Sequence, residues 1–296
     1  MTIVCGVDGS KAARDAASAA ALLAGVLGRR LVLVHAVERL ATLGYAIDPY
    51  LFEGQRGYAA LKEAGERFLE GLVGDLELGP SAAQRVDVGE PSHVLVDVAE
   101  ETGAELVVVG THARGRVASA ILGSTSSDLV SRTSCPVLVV PPGARIGSGT
   151  VVCAVDDSSA ARQAARAAGS LSEGLGGSLV LAHAVPTTPP PGTSAVPAGQ
   201  VRWAEDEQRV AEEFLERLAL EEGLHRDAEL HVVFGSQADA IRTLADEENA
   251  ALVVVGTRRR GALRSALAGS VSLDLKGTAS RPVLIVPAGG RIPLPT

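Results

Sequence analysis

The chain contains two copies of one pattern, and that duplication limits its architecture before any single element is considered. Val4-Cys5-Gly6-Val7-Asp8-Gly9-Ser10 returns as Val152-Cys153-Ala154-Val155-Asp156-Asp157-Ser158. Leu33-Val34-His35-Ala36-Val37 returns as Leu181-Ala182-His183-Ala184-Val185, and Pro136-Val137-Leu138-Val139-Val140-Pro141 as Pro282-Val283-Leu284-Ile285-Val286-Pro287. More than half of the positions from Ala104 to Pro141 match their counterparts. The copies meet in a Pro/Gly/Ser stretch, Pro142 to Gly149, which puts one domain at 1–142 and the other at 149–290.

Within each copy, short β-branched apolar runs alternate with longer helix-period segments, as βαβ units do. The first copy is expected to place strands near Thr2–Val7, Arg30–Val37, Gln84–Val88, Glu105–Val109 and Pro136–Val140. Its helices should run Lys11–Leu27, Gln55–Asp75, Ser92–Glu101 and Gly123–Arg132. The second copy predicts strands near Val151–Val155, Ser178–Val185, Ala228–Phe234, Ala251–Val255 and Pro282–Val286. Helices should follow at Ala160–Glu173, Trp203–Leu220, Gln237–Glu247 and Gly269–Thr278. The fold class is therefore α/β: two tandem doubly wound, Rossmann-like domains, each with a five-stranded parallel sheet. A loop follows the second strand of each copy, with Tyr45, Tyr50, Phe52 and the nearby Tyr58 in the first and Pro189-Pro190-Pro191-Gly192 in the second. It reads equally as a flap or as a solvated connection.

Aromatics make up only 3% of the chain against 46% apolar residues, so the cores must be built from Ala, Val and Leu. A formal charge of -8 argues against general nucleic-acid binding, which needs a basic surface. No apolar stretch reaches the ~20 residues that span a bilayer. The strand-like opening Met1-Thr2-Ile3-Val4 lacks the basic region of a secretory leader, so a soluble cytoplasmic protein is the expectation. Cys5, Cys135 and Cys153 form no CxxC pair and read as small buried hydrophobes, with no zinc site and no predicted metal ligand.

The chemistry concentrates where the fourth strand of each copy ends. Leu106-Val107-Val108-Val109 stops at Gly110, and Thr111, His112, Ala113, Arg114, Gly115 and Arg116 lead to Gly123-Ser124-Thr125-Ser126, which opens a helix. The second copy answers with Gly256, Thr257, Arg258, Arg259, Arg260, Gly261 and Ala262, then Gly269, Ser270, Val271 and Ser272 at the same spacing. Free amides at a helix start, hydroxyl donors and a glycine without Cβ can converge on an anion. An ordinary turn and cap is the competing reading. The glycine spacing after Gly110 imitates a Walker A loop but lacks its Lys-Ser/Thr pair, and no GxGxxG follows the first strand, so neither of those phosphate motifs is present. Asp8 and Asp156 stand at strand tips, suited to a ribose hydroxyl, a phosphate-bound metal or a helix cap. His35 and His183 sit inside apolar strands and read as satisfied core histidines.

This set of motifs resembles the universal stress protein family in its tandem two-domain form. Nucleotide-binding members carry Gly-x-x-Gly, nine residues, then Gly-Ser/Thr after the fourth strand, with an Asp past the first strand and a main-chain adenine contact after a second-strand His. The resemblance implies ATP sites built from Gly6, Asp8, Ala36, Gly110 to Arg116, and Gly123 to Thr125 in the first copy. In the second it implies Ala154, Asp156, Ala184, Gly256 to Ala262, and Gly269 to Ser272. Mg²⁺ would accompany the nucleotide as a phosphate-bound ion. The family's second glycine is replaced by Ala113, the milder change, in one copy and by Arg259 in the other, where Arg258, Arg259, Arg260 and Arg264 read equally as charged partners for phosphate or as a solvated basic loop. No Ser-His-Asp set or paired carboxylates point to catalysis, so the resemblance implies a nucleotide-dependent regulator in stress response or growth control rather than a dedicated enzyme. An ATP-dependent hydrolase or transferase and a non-nucleotide interaction module remain the alternatives. By the same resemblance the last strand of each domain pairs, implying a homodimer and protein partners as yet unspecified.

Overall fold

The computed structural model describes residues 1–38, 55–79, 82–111, 124–187, 197–257 and 281–289. The chain divides into two compact units, Met1–Arg145 and Ile146–Leu294. In the first, β1 (Thr2–Gly6), α1 (Lys11–Leu27), β2 (Arg30–Val37), α2 (Gln55–Asp75), β3 (Ala82–Val88), α3 (Pro91–Thr102), β4 (Ala104–Gly110), α4 (Ser124–Arg132) and β5 (Val137–Val140) follow one another. The second runs β6 (Val151–Ala154), α5 (Ser159–Leu175), β7 (Leu179–Val185), α6 (Pro197–Glu221), β8 (Ala228–Phe234), α7 (Gln237–Glu247), β9 (Leu252–Thr257) and β10 (Val283–Pro287).

Every strand pair within a unit is parallel. The order is β3-β2-β1-β4-β5 in the first unit and β8-β7-β6-β9-β10 in the second. Chain direction across the sheet therefore reverses between β1 and β4, and again between β6 and β9. Such a reversal leaves a crevice at the strand carboxyl ends that no crossover connection covers. The two-copy α/β architecture expected from the sequence is the one found.

Alanine explains how tightly the layers close. On α1 the buried face is Ala12, Ala13, Ala16, Ala17, Ala19, Ala20 and Ala24 with Leu23 and Leu27, and α5 repeats it with Ala160, Ala161, Ala164, Ala165, Ala167, Ala168, Leu171 and Leu175. Small side chains let the helix backbone press onto the sheet. At Gly110 the approach is so close that a Cβ would lie 2.5 Å from the Ala12 carbonyl carbon and 2.7 Å from the Ala13 nitrogen. At Gly256 the same Cβ would lie 2.6 Å from the Ala160 carbonyl carbon and 2.7 Å from the Ala161 nitrogen. Helix-on-strand packing therefore requires both glycines by itself, whether or not a phosphate approaches them.

Ser10 and Ser158 cap α1 and α5, accepting the amide hydrogens of Ala13 (3.1 Å) and Ala161 (3.2 Å). Gly28 and Gly176 end the same helices in the left-handed conformation, at φ 62 and 64. Most expected element ends fall within a residue or two. The exception is α6, which starts at Pro197 rather than Trp203, as proline is well tolerated in a helical first turn. No helix among the described residues is long and apolar enough to cross a membrane.

Candidate functional site at the strand tips

In the first unit β1, β2 and β4 deliver Gly6, Asp8, Ala36, Gly110 and Thr111 to the carboxyl ends of the sheet, and α4 starts at Ser124 with Thr125 and buried Ser126 following. The second unit brings Ala154, Asp156, Ala184, Gly256 and Thr257 to the matching positions. The remaining predicted residues lie outside the described ones: His112, Ala113, Arg114, Gly115, Arg116 and Gly123 in the first copy, and Arg258, Arg259, Arg260, Gly261, Ala262, Gly269, Ser270, Val271 and Ser272 in the second. The expected helix Gly269–Thr278 and the loop residues Tyr45, Tyr50, Phe52 and Pro189 to Gly192 also lie outside them. Tyr58 falls on α2 and is exposed.

Asp8 is exposed and Asp156 half-buried. Neither caps the following helix, since the serine two residues on does so. Instead Asp8 Oδ1 accepts the Ser10 amide hydrogen at 2.9 Å and Asp156 Oδ1 that of Ser158 at 3.0 Å, closing an Asx turn that aims each carboxylate from its strand tip. In the second unit the Ser158 hydroxyl adds a bond to the same oxygen. The fourth strand is continued by Thr111, buried, whose amide donates to the Val140 carbonyl at 3.0 Å. In the second unit the Thr257 carbonyl accepts from Ala288 at 3.0 Å.

The two histidines are satisfied, as expected. His35 Nδ1 lies 3.0 Å from the Val7 carbonyl oxygen, and His183 Nδ1 2.8 Å from that of Val155. A carbonyl only accepts, so Nδ1 carries the hydrogen in both.

Sequence reasoning missed a link between α3 and α4. The N-cap of α3 is Glu90, whose carboxylate accepts the amides of Ser92 (3.2 Å) and His93 (3.1 Å) and the Ser92 hydroxyl. Ser92 is fully buried, and its hydroxyl is also 3.1 Å from Asp128 Oδ2 on α4. Burial would raise the Glu90 carboxyl, but the hydrogen bonds from Ser92 and His93, with the nearby imidazole, outweigh it and hold the group below its ordinary range. Glutamate is not among the preferred cap residues, so the Gly89-Glu90-Pro91 sequence carries little local signal for this role.

Donor atoms of Glu90, His93 and Asp128 lie within 4.8 Å of one another, the arrangement a divalent cation could use. Both carboxylates are already engaged, Glu90 by the cap and Asp128 by Ser92 and an Arg132 ion pair at 3.4 Å, so the trio is accounted for without an ion. The cysteines are all buried; burial pushes the Cys5 and Cys153 thiols far up, and Cys135 Sγ donates to the Ala104 carbonyl at 2.9 Å.

What these features define together is a duplicated doubly wound α/β protein with a crevice at the sheet's order reversal in each unit. The model of the universal stress protein family matches residues 1–141 and again 148–287, and the chain belongs to that family. A universal stress protein of Mycobacterium tuberculosis is 28% identical over 291 residues, covering 96% of each chain. A second from the same organism is 29% identical over 306 residues, covering 96% of this chain and 94% of its own. A shorter one from Thermus aquaticus is 34% identical over 143 residues, 47% of this chain and 97% of that protein, the proportions expected if it matches a single copy. Among solved structures, a universal stress protein from Archaeoglobus fulgidus matches with a TM-score of 0.68 at 18% identity, over 97% of this chain and 96% of that one, which establishes shared fold.

Proposed function

We propose that the protein binds ATP in the strand-tip crevice of one or both units and acts as a nucleotide-dependent regulator in the cytoplasm. The observation that carries this reading is a carboxylate repeated once in each unit: Asp8 and Asp156, each fixed by a serine amide at the tip of the strand bordering the order reversal. In that role the aspartates would meet a ribose hydroxyl or a phosphate-bound Mg²⁺, and Ala36 and Ala184 would offer main-chain groups to the base. Gly6 and Ala154 end the first strand of each unit two residues before these aspartates, and they join the proposed site on that placement. Thr111, Thr257 and the start of α4 at Ser124 and Thr125 stand where phosphates would end, as the first amides of a helix lack intrahelical partners. The predicted loop residues between these points complete the proposal in both units.

The first unit is the stronger site, because Ala113 replaces the family's second glycine more mildly than Arg259 does. Regulation follows if ATP favours one conformational state over another, since a ligand indifferent to the two shifts nothing. The family resemblance adds self-association as a homodimer, which light scattering on the purified chain tests. The nucleotide reading is tested by denaturing purified protein and chromatographing what is released. Adenine nucleotide in stoichiometric amount supports it, and none released with none taken up from millimolar ATP overturns it. Phosphate release no faster in the wild type than in Asp8→Ala separates the regulator from an ATP hydrolase.

A further inference from the structure

The two histidines do more than satisfy themselves. The paired register of β1 and β2 ends at Gly6↔Val34, followed by one last bond from the Val7 amide to the Val34 carbonyl at 2.9 Å. In a parallel ladder the Val7 carbonyl would next accept the amide of Ala36, two residues beyond Val34. Its partner here is His35 Nδ1 instead, at 3.0 Å. The second unit repeats each step: register ending at Ala154↔Ala182, the Val155 amide on the Ala182 carbonyl at 2.9 Å, and His183 Nδ1 on the Val155 carbonyl at 2.8 Å.

Main-chain groups alternate sides along a strand. His35 and Val37 address β3, where the Gly89 amide bonds the Val37 carbonyl at 3.0 Å, so Ala36 addresses the gap that opens beyond Val7. Each imidazole is held by an aromatic ring from the covering helix, Phe68 at 4.9 Å between centroids and Phe214 at 5.0 Å. Gly65 lets α2 close onto the His35 ring, since a Cβ there would stand 3.0 Å from its Cδ2.

We propose that His35 and His183 are positioning residues that occupy the last carbonyl of the first strand and thereby keep the main-chain edge of Ala36 and Ala184 open to a base. This rests on the nucleotide reading above and deepens it. An open peptide edge offers one donor and one acceptor, which fits the adenine N1 and N6-amino pair. Without this imidazole clamp the Val7 carbonyl, left unpaired beside the sheet, would draw in the Ala36 amide and zip the strands one step further.

The test uses the full chain with both histidines changed together, to Leu (H35L/H183L) or to Asn (H35N/H183N), whose side-chain amide can place a donor where Nδ1 stood. Calorimetry compares ATP with inorganic tripolyphosphate, and NMR follows exchange of the Ala36 and Val34 amides. The Leu pair should lose ATP affinity about tenfold, the scale of one or two net hydrogen bonds, with tripolyphosphate unchanged and the Asn pair close to wild type. Exchange at Ala36 should be faster than at Val34 in the wild type and slow in the Leu pair. Equal loss for ATP and tripolyphosphate, no loss for either, or an Ala36 amide as protected as Val34 in the wild type would overturn the proposal. Should the wild type bind no ATP, the nucleotide reading fails by itself, and the exchange comparison still decides the clamp.

Discussion

Replacing Gly110 by alanine adds one methyl group, and the structure says where it goes. The new carbon would stand 2.5 Å from the Ala12 carbonyl carbon, 2.6 Å from its oxygen and 2.7 Å from the Ala13 nitrogen, all backbone atoms of α1. Non-bonded carbons rest ~3.5–4.0 Å apart, so the helix or the strand must yield by about 1 Å. No side chain can swing away to absorb that. Overpacking of this kind costs roughly 1–3 kcal/mol, and for a unit of this size about 4 °C of melting temperature accompanies each kcal/mol. Scanning calorimetry on the full chain should show one transition lowered by roughly 4–12 °C. Gly25 supplies the control of opposite sign: it lies within α1, a Cβ there would meet nothing within 4 Å, and alanine should stabilise by roughly 0.5–1 kcal/mol. Gly110→Ala melting at or above the wild-type temperature would refute the close-approach argument. The same geometry warns that a bulky residue at Gly110 tests folding rather than ligand binding.

The buried ion pair of Arg29 and Glu105, 2.7 Å apart with both side chains under a tenth exposed, has Gly177 and Ala251 as its counterparts in the second unit. Glu105→Ala alone should cost roughly 3–5 kcal/mol by stranding a buried guanidinium, and Arg29→Gly with Glu105→Ala should recover much of that in urea titrations. Glu90→Gln should cost about 1 kcal/mol at neutral pH, a typical cap loss. The Glu90 carboxyl is held below its ordinary value, so its stabilisation is present above the unfolded-state value and lost as pH falls through the lower folded-state one. The wild-type and Gln curves should therefore converge in acid. Cys5 and Cys153, fully buried with raised thiols, should ignore a thiol reagent in the native protein and react once it unfolds.

Features set by neighbours along the chain were readable from the sequence. The ends of α1, α2 and α7 fall where expected because helical periodicity and, for α1 and α7, serine caps are local signals, while β2 and β8 match because apolar, β-branched runs are local signals for strands. Features set by distance between elements were not. The packing role of Gly110 was not legible, because nothing in its flanks announces that Ala12 lies against it. A helix cap is one of the roles the sequence allows Asp8, and only the geometry shows Ser10 taking that place while the aspartate holds the serine. Ser92 bridging Glu90 and Asp128 joins residues 36 apart in sequence, and the His35 bond to Val7 joins residues 28 apart. The repeat nevertheless pointed at these positions indirectly, since a histidine kept at the same place in both copies sits at the same strand divergence in both.

The central claim is that the aspartate-tipped crevices bind ATP. Isothermal titration of the full chain with ATP, beside Asp8→Asn with Asp156→Asn, tests it most directly, because these side chains end at the strand tips and leave the serine caps of α1 and α5 in place. Saturable heat in the wild type, with affinity weakened about tenfold or more in the double variant, is the predicted result. No heat at millimolar ATP, or equal affinity in the two proteins, would contradict it.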